Sequence, residues 1–475
     1  MSKPPRGGAG GGAAPDSFYV AHQKIYPREV KGRYARLRVL AVWVLLGIYY
    51  LLPWVSWGGR QAVLFDLPAR KFYIFGLTFW PQDFFFMAWL LIIAALTLFF
   101  VTAIAGRLWC GYACPQTVWT EAFLWMERIT EGNHAQRRKL DKGPWTREKV
   151  LRKSAKQALW LGFSLWTGFT FVAYFTPATV LGPKLLAFET GPWETFWVLF
   201  YGFATYGNAG LLREQVCKYM CPYARFQGAM FDKDTMIISY DGHRGEPRGG
   251  RKRSVDPKSA GLGDCIDCSM CVQVCPTGID IREGLQIECI ACAACIDVCN
   301  DVMDKMSYPR GLIRYSTHHA MEEQKPVRVL RPRVMVYGIV LAALLGGFGT
   351  AVANRSTLIV DVIRDRNMLY RELPGEMVEN VYTMSFVNKT EVERSYQVSA
   401  RGIEGLRLAF DAPLPLHSGP GEVRRVPVRI QAPAAAVPPG GVEVTLVIEA
   451  LGEVPARVER GTRFIGPADR PAGAL

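Results

Sequence analysis

The chain has 475 residues, of which 50% are hydrophobic, and carries a net charge of +14. Its mean hydropathy is +0.08, but the apolar half is gathered into runs rather than spread evenly. A nucleic-acid role would need a basic soluble domain with stacking aromatics, and none stands out.

Met1–Pro15 is rich in Gly, Ala and Pro and lacks the apolar stretch of a signal peptide, so it is expected to be a disordered start. Residues 1–36 form a basic cytoplasmic tail on this reading. Five apolar runs follow, each near the 20 or so residues that cross a bilayer: Leu37–Val55, Phe84–Ala105, Gln157–Thr176, Trp193–Leu212 and Val334–Ala353. The fourth contains Glu194 and Asn208. Lys and Arg mark the cytoplasmic side. They crowd before the first run, at Lys24, Arg28, Lys31, Arg33, Arg36 and Arg38. They crowd again after the second, from Arg107 and Arg128 through Arg137, Arg138, Lys139, Lys142, Arg147 and Lys149 to Lys156. The loops after runs one and three carry few. The N-terminus and the insert between runs four and five are therefore expected in the cytoplasm. The tail is expected in the periplasm, with the chain a multi-pass protein of a bacterial inner membrane.

Residues 37–240 form the first membrane region, which contains an internal repeat. Cys110-Gly-Tyr112-Ala-Cys114-Pro115 follows the second run, and Cys217-Lys-Tyr219-Met-Cys221-Pro222 follows the fourth. Cysteines four apart on a helix share one face, and the proline after each pair ends or kinks it. Two such pairs suit a four-thiolate site for Cu(I), zinc or an iron–sulfur cluster, or a dithiol–disulfide couple. Met126 and Met220 are candidate thioether ligands, though packing is the commoner role of methionine.

Residues 241–260 are rich in Gly, Pro and Arg and are expected to be a linker into a module at 261–308. That module holds eight of the twelve cysteines, as Cys-x2-Cys-x2-Cys-x3-Cys written twice. The first run is Cys265, Cys268, Cys271, Cys275, followed by Pro276. The second is Cys289, Cys292, Cys295, Cys299, followed by Asn300. In two-cluster ferredoxins each run gives its fourth cysteine to the other cubane. The expected ligand sets for two [4Fe–4S] clusters are Cys265, Cys268, Cys271 with Cys299, and Cys289, Cys292, Cys295 with Cys275. Zinc has no use for the cross-donated thiolate. Residues 309–333 are a basic connector, 334–353 the fifth span and 354–475 the tail. Period-two segments at Glu379–Val387, Arg394–Ala400, Leu406–Phe410, Val423–Ile430 and Val442–Ala450 predict an antiparallel β-sandwich there.

None of the six histidines lies inside an apolar run, which argues against bis-histidine haem within the membrane. His318 and His319 are read as a solvated surface pair. No Gly-x-Gly-x-x-Gly follows a convincing strand, so electrons come from a partner or a quinol.

The paired Cys-x3-Cys-Pro motifs, the double ferredoxin run, the five spans and the segment Val362-Ile-Arg-Asp-Arg-Asn-Met-Leu-Tyr370 together resemble the FixG/CcoG (RdxA) family, accessory proteins of cbb(3)-type cytochrome c oxidase. The resemblance covers nearly the whole chain. It implies a cupric reductase with two [4Fe–4S] clusters, with Cys110, Cys114, Cys217 and Cys221 as the copper site and an Ig-like fold for the tail. It also implies a cytoplasmic electron donor, a copper chaperone or copper-transporting ATPase, and oxidase assembly factors as partners. Ferredoxin-type quinol dehydrogenases share much of this plan, so electron transfer from quinol to a respiratory partner is the alternative.

Overall fold

The structure is a computed structural model that describes residues 24–257, 259, 261–323, 326–365, 368–452 and 456–467. The expected disordered start, Met1–Pro15, lies outside the described residues. Chain contacts divide the protein into two units. One comprises residues 1–52, 97–173 and 178–338, the other 53–96, 174–177 and 339–475.

Among the described residues, three helical segments are long and apolar enough to cross a membrane: Arg33–Trp54, Pro81–Ala105 and Pro332–Ala353. They match the first, second and fifth apolar runs. The third run lies in the 27-residue helix Arg147–Ala173 up to Ala173, with its last three residues in the turn that follows. The first turns of this helix carry Arg147, Lys149, Arg152, Lys153 and Lys156. The fourth is split into a helix, Pro192–Thr205, and a π-helical stretch, Tyr206–Leu212. These two helices pack closely because Gly168 faces the Val198 backbone and Gly202 faces Ser164 and Leu165. Each missing side chain leaves room for the other helix's backbone.

The expected tail 1–36 is not loose over its described part. Arg28 N–H donates to the Gln273 carbonyl at 2.9 Å, Lys24 pairs with Asp141 at 2.7 Å, and a helix already begins at Arg33. Its first N–H groups are capped from outside: the Asp297 carboxylate accepts from Ala35 N–H at 2.7 Å and Tyr34 N–H at 3.3 Å. Helix starts leave such donors unpaired, and a distant carboxylate satisfies them here. Asp141 receives Lys24, Tyr26 and Lys153 together. Glu127 and Glu131 on the helix Pro115–Glu131 are fully buried. They are met by Arg137 and Arg213, and by Lys153 and Lys156. Buried carboxylates are tolerable only with such partners.

The ferredoxin module extends past 261–308. Strands Ile237–Tyr240 and Ile313–Ser316 pair antiparallel around it. The expected linker is partly tied down too, since Arg251 donates to the Gly263 carbonyl at 2.7 Å.

In the second unit, a five-stranded and a four-stranded sheet form the sandwich around Tyr382, Phe386, Tyr396, Val428 and Leu446. The expected strands appear as Met377–Asn388, Arg394–Arg401, Arg407–Phe410, Val423–Pro433 and Val442–Leu451. Leu358–Arg364, Leu416–Ser418 and Arg457–Phe464 also pair, at the sheet edges. Leu358–Arg364 is a nearly continuous apolar run, Arg457–Phe464 is crowded with charge and Leu416–Ser418 is three residues long, so none shows a clear alternation. The meander Val63–Asp66, Lys71–Ile74, Leu77–Phe79 belongs to the same unit. Trp80 Nε1 donates to the Lys389 carbonyl at 2.9 Å, and the buried Lys389 ammonium meets Asp83 at 2.6 Å.

Candidate iron–sulfur and thiolate centres

Eight cysteines line two small apolar cavities in the ferredoxin module. Cys265, Cys268, Cys271 and Cys299 surround one, closed by Ile266, Val302, Met303 and Leu312. Cys275, Cys289, Cys292 and Cys295 surround the other, closed by Ile238, Ile279, Ile281 and Ile290, with Cys271 also in its wall. Each cavity is thus lined by the four cysteines of one expected cross-donated set. All twelve cysteines are free thiols. Among the described residues, no three Cys, His or carboxylate groups converge as they would on a single ion.

The backbone explains how the sets close. Asp267 and Ser269 flank Cys268 with φ of 51° and 53°, and Ala291 and Ala293 flank Cys292 with 54° and 60°. These are left-handed conformations that cost a non-glycine residue about 1 kcal/mol or more each. Alternating right- and left-handed residues turn successive N–H groups to one side and make a concave anion seat. The same device at the same two places in both runs fits an anionic cubane. Burial pushes the Cys271 thiol up to about 11 and those of Cys289 and Cys299 up to about 12. Left bare, these groups stay protonated. Bound iron replaces those protons.

The other four cysteines show the internal repeat in three dimensions. Cys110 lies in the short helix Leu108–Tyr112, and Cys114 is the extended residue before the helix Pro115–Glu131. Cys217 lies in the π-helical turn Val216–Met220, and Cys221 is the extended residue before the helix Pro222–Ala229. Cys114 N–H reaches back to the Trp109 carbonyl at 2.9 Å, and Cys221 N–H to Val216 at 2.8 Å. Each proline sits at the first position of a helix, where a missing N–H costs nothing. The pairs thus straddle helix breaks instead of sharing a continuous helical face. The reason is the widened turn that each proline requires ahead of it.

These pairs abut the ferredoxin module directly. Cys110 and Cys217 pack with Val274, Ile290, Cys292 and Val298. Gly111 faces the cubane loop so closely that a Cβ would lie 2.7 Å from the Ile290 carbonyl oxygen and 2.9 Å from Ala291. Arg107, almost fully buried, donates to the carbonyls of Ile287 in the ferredoxin loop and Ala224 after the second motif. Its charge acts on Cys110, Cys217 and Cys289. Gln227, also buried, accepts from Cys110 Sγ at 3.4 Å and donates to Thr102 and the Gly106 carbonyl, both at 3.0 Å. Burial, with the neighbouring cysteines adding to it, raises the Cys110 thiol to about 12 and Cys217 to about 11. Burial also raises Cys114.

Arg107, Gly111 and Gln227 had no distinguishing sequence signal beyond proximity to the motifs, and Arg107 read as one more topological charge. Met126 packs with Phe123 and Trp160, and the Met220 side chain is exposed. His319 pairs with Asp234 at 2.8 Å and His318 with Glu322 at 3.1 Å.

Three family models match. Residues 212–318 match a 4Fe-4S dicluster domain, residues 87–131 a 4Fe-4S binding domain, and residues 348–467 the IG-like fold at the C-terminal of FixG. The chain is 38% identical over 454 residues to the nitrogen fixation protein FixG of Rhizobium meliloti, covering 87% of this chain and 85% of that protein. It is 41% identical over 412 residues to protein RdxB of Cereibacter sphaeroides, covering 83% and 85%. Protein RdxA of the same organism is 38% identical over 411 residues, covering 83% and 86%. A crystal structure of a FixG-related protein from Vibrio parahaemolyticus aligns with 23% of this chain and 97% of its own, at 28% identity and a TM-score of 0.20.

Proposed function

We propose, since the chain belongs to the FixG/RdxA family of iron–sulfur oxidoreductases, that it reduces Cu(II) to Cu(I) for the copper centre of cbb(3)-type cytochrome c oxidase. The observation that carries this reading is the seating of the paired thiols against the cubane loop at Gly111. Cys265, Cys268, Cys271 and Cys299 would hold one [4Fe–4S] cluster, and Cys289, Cys292, Cys295 and Cys275 the other. The clusters supply single electrons when bound. Copper is the substrate ion, at Cys110, Cys114, Cys217 and Cys221. Cu(II) prefers nitrogen and oxygen ligands and Cu(I) prefers thiolates, so a thiolate site binds the product state better and favours reduction. Arg107 and Gln227 hold Cys110 and the cubane loop in register.

On the same reading the helices Arg147–Ala173 and Pro192–Thr205 complete five spans in the inner membrane. The N-terminus and ferredoxin module face the cytoplasm and the sandwich faces the periplasm. The loop between the first two spans packs on the sandwich through Trp80, Asp83 and Lys389, which supports one side for both. The contacts of residues 24–38 with the ferredoxin module support the other. A copper chaperone or copper-transporting ATPase and oxidase assembly factors fit as partners.

The test is Cu(II) reduction by the full chain, prepared without oxygen, reduced with dithionite and then freed of it, read as a Cu(I)–chelator absorbance. Cys110→Ser with Cys217→Ser is expected to abolish the reaction while iron content stays unchanged. Undiminished reduction sinks the site assignment.

A further inference from the structure

A cavity of about 330 Å³ opens between the helices Arg33–Leu51, Pro115–Glu131 and Arg147–Ala173. Val42, Trp43, Leu46, Gly47, Trp125 and Phe163 make its apolar walls. Trp43 and Trp125 are more than half exposed, and the first of these helices is long and apolar enough to span a bilayer. The groove therefore opens toward lipid.

One end is polar. Glu121 and Arg128 line it and stand 3.5 Å apart. Arg38 lies 3.9 Å from Glu121 on the other side and donates to the carbonyl oxygen of Cys292 at 3.2 Å. The buried Nε of Arg38 has no hydrogen-bond partner. Glu121, Arg128 and Val39 also wall a second cavity of about 150 Å³ that reaches Cys292, Pro276 and Cys217. Arg38 lines this second cavity, and through Glu121, which walls both cavities, it links the polar end of the groove to a cysteine of the ferredoxin module.

The ligand that matches has a long apolar tail and a flat head. The head's oxygens accept from a guanidinium when oxidised and donate to a carboxylate when reduced. We propose that the groove binds an isoprenoid quinol and that this quinol supplies the electrons, a step that rests on the copper-reductase reading only for their destination. Both head O–H bonds break and the quinol becomes a quinone. One proton goes to the Glu121 carboxylate and the other to water in the second cavity. Two electrons leave singly, matching two one-electron centres and two Cu(II) ions reduced per quinol. A phospholipid phosphate could pair with Arg128 but would leave the Glu121 carboxylate facing a like charge, whereas a quinol hydroxyl can donate to it.

The experiment uses the full chain in lipid nanodiscs without oxygen, with ubiquinone-2 as the probe. A Cβ at Gly47 meets nothing within 4 Å, so Gly47→Phe fills the groove without disturbing packing. Saturable retention of the probe is expected. Gly47→Phe should weaken it about tenfold or more, with circular dichroism and iron content unchanged. Glu121→Gln should keep the probe but slow the bleaching of iron–sulfur absorbance by ubiquinol-2. Equal retention in wild type and Gly47→Phe, or retention of phospholipid alone, overturns the proposal. Failure of the dithionite-driven copper reaction, with probe retention intact, sinks the copper reading and leaves the quinol site standing.

Discussion

The ferredoxin module and the paired-cysteine region use the same side chain in different settings. In the module, eight thiols face two cavities walled by Ile, Val, Leu and Met. In the paired region, four half-buried thiols share their surroundings with a buried guanidinium and a buried amide. An apolar wall suits a permanent group, because it excludes water and leaves recognition to thiolates and backbone N–H groups. A polar, partly open wall suits an ion that enters, changes charge and leaves. The local backbone differs in the same sense. The module closes on paired left-handed residues, whereas the motifs are breaks between helices, one of them π-helical, a feature frequent at functional sites.

The comparison breaks most visibly at the ligands. Cys295→Ser is expected to remove half of the iron and all copper reduction, whereas Cys114→Ser should leave iron intact and lose only turnover. Iron and acid-labile sulfide per chain decide this, and equal iron loss in both would erase the distinction. Next comes the contact between the regions. Gly111→Val puts side-chain atoms where the Ile290 carbonyl lies, so the loop must move away. Turnover should drop by on the order of 10²-fold, as a displacement of about 1 Å at a reacting centre can cause, with iron unchanged.

Arg107→Gln tests the charge that both regions share. Removing a cation beside Cys289 disfavours the more negative, reduced state. The midpoint potential of one of the two centres should fall in a spectroscopic titration, an effect that loss of packing alone would not confine to one centre. The smallest effect concerns pH. Burial raises Cys110 to about 12 and Cys217 to about 11, above the ordinary thiol value of about 8.5. Metal-free protein is therefore favoured below about pH 8.5 and loses that contribution as pH rises through 11 to 12. On the copper-reductase proposal copper displaces those protons, so its apparent affinity in the wild type should increase with pH. Double Cys110→Ser, Cys217→Ser protein should show a flatter dependence by competition titration.

Much of the site is legible along the chain because its determinants are local. Cys-x2-Cys-x2-Cys-x3-Cys prescribes a loop that wraps a cubane, and a proline after a cysteine prescribes a helix start. Helix-length apolar runs and period-two strands report burial residue by residue, which is why the five expected strands recur within about three residues at each end. Residues whose role lies in a distant partner carry no such mark. Asp297 caps a helix 262 positions earlier. Arg107 bridges Ala224 and Ile287, and residues 24–32 look like more of a basic tail until Gln273 and Asp141 are placed beside them.

By itself the sequence determined the cysteine runs of a dicluster domain, the three most apolar helices and the sandwich, since each follows from spacing or periodicity within one stretch of chain. Only the tertiary structure decided that Cys110 and Cys217 share a core with Cys292. That packing depends on Gly111 offering no side chain to the Ile290 carbonyl, and on Arg107 pairing carbonyls from separate segments. Such contacts are set by the chain's return through space, which no local pattern records.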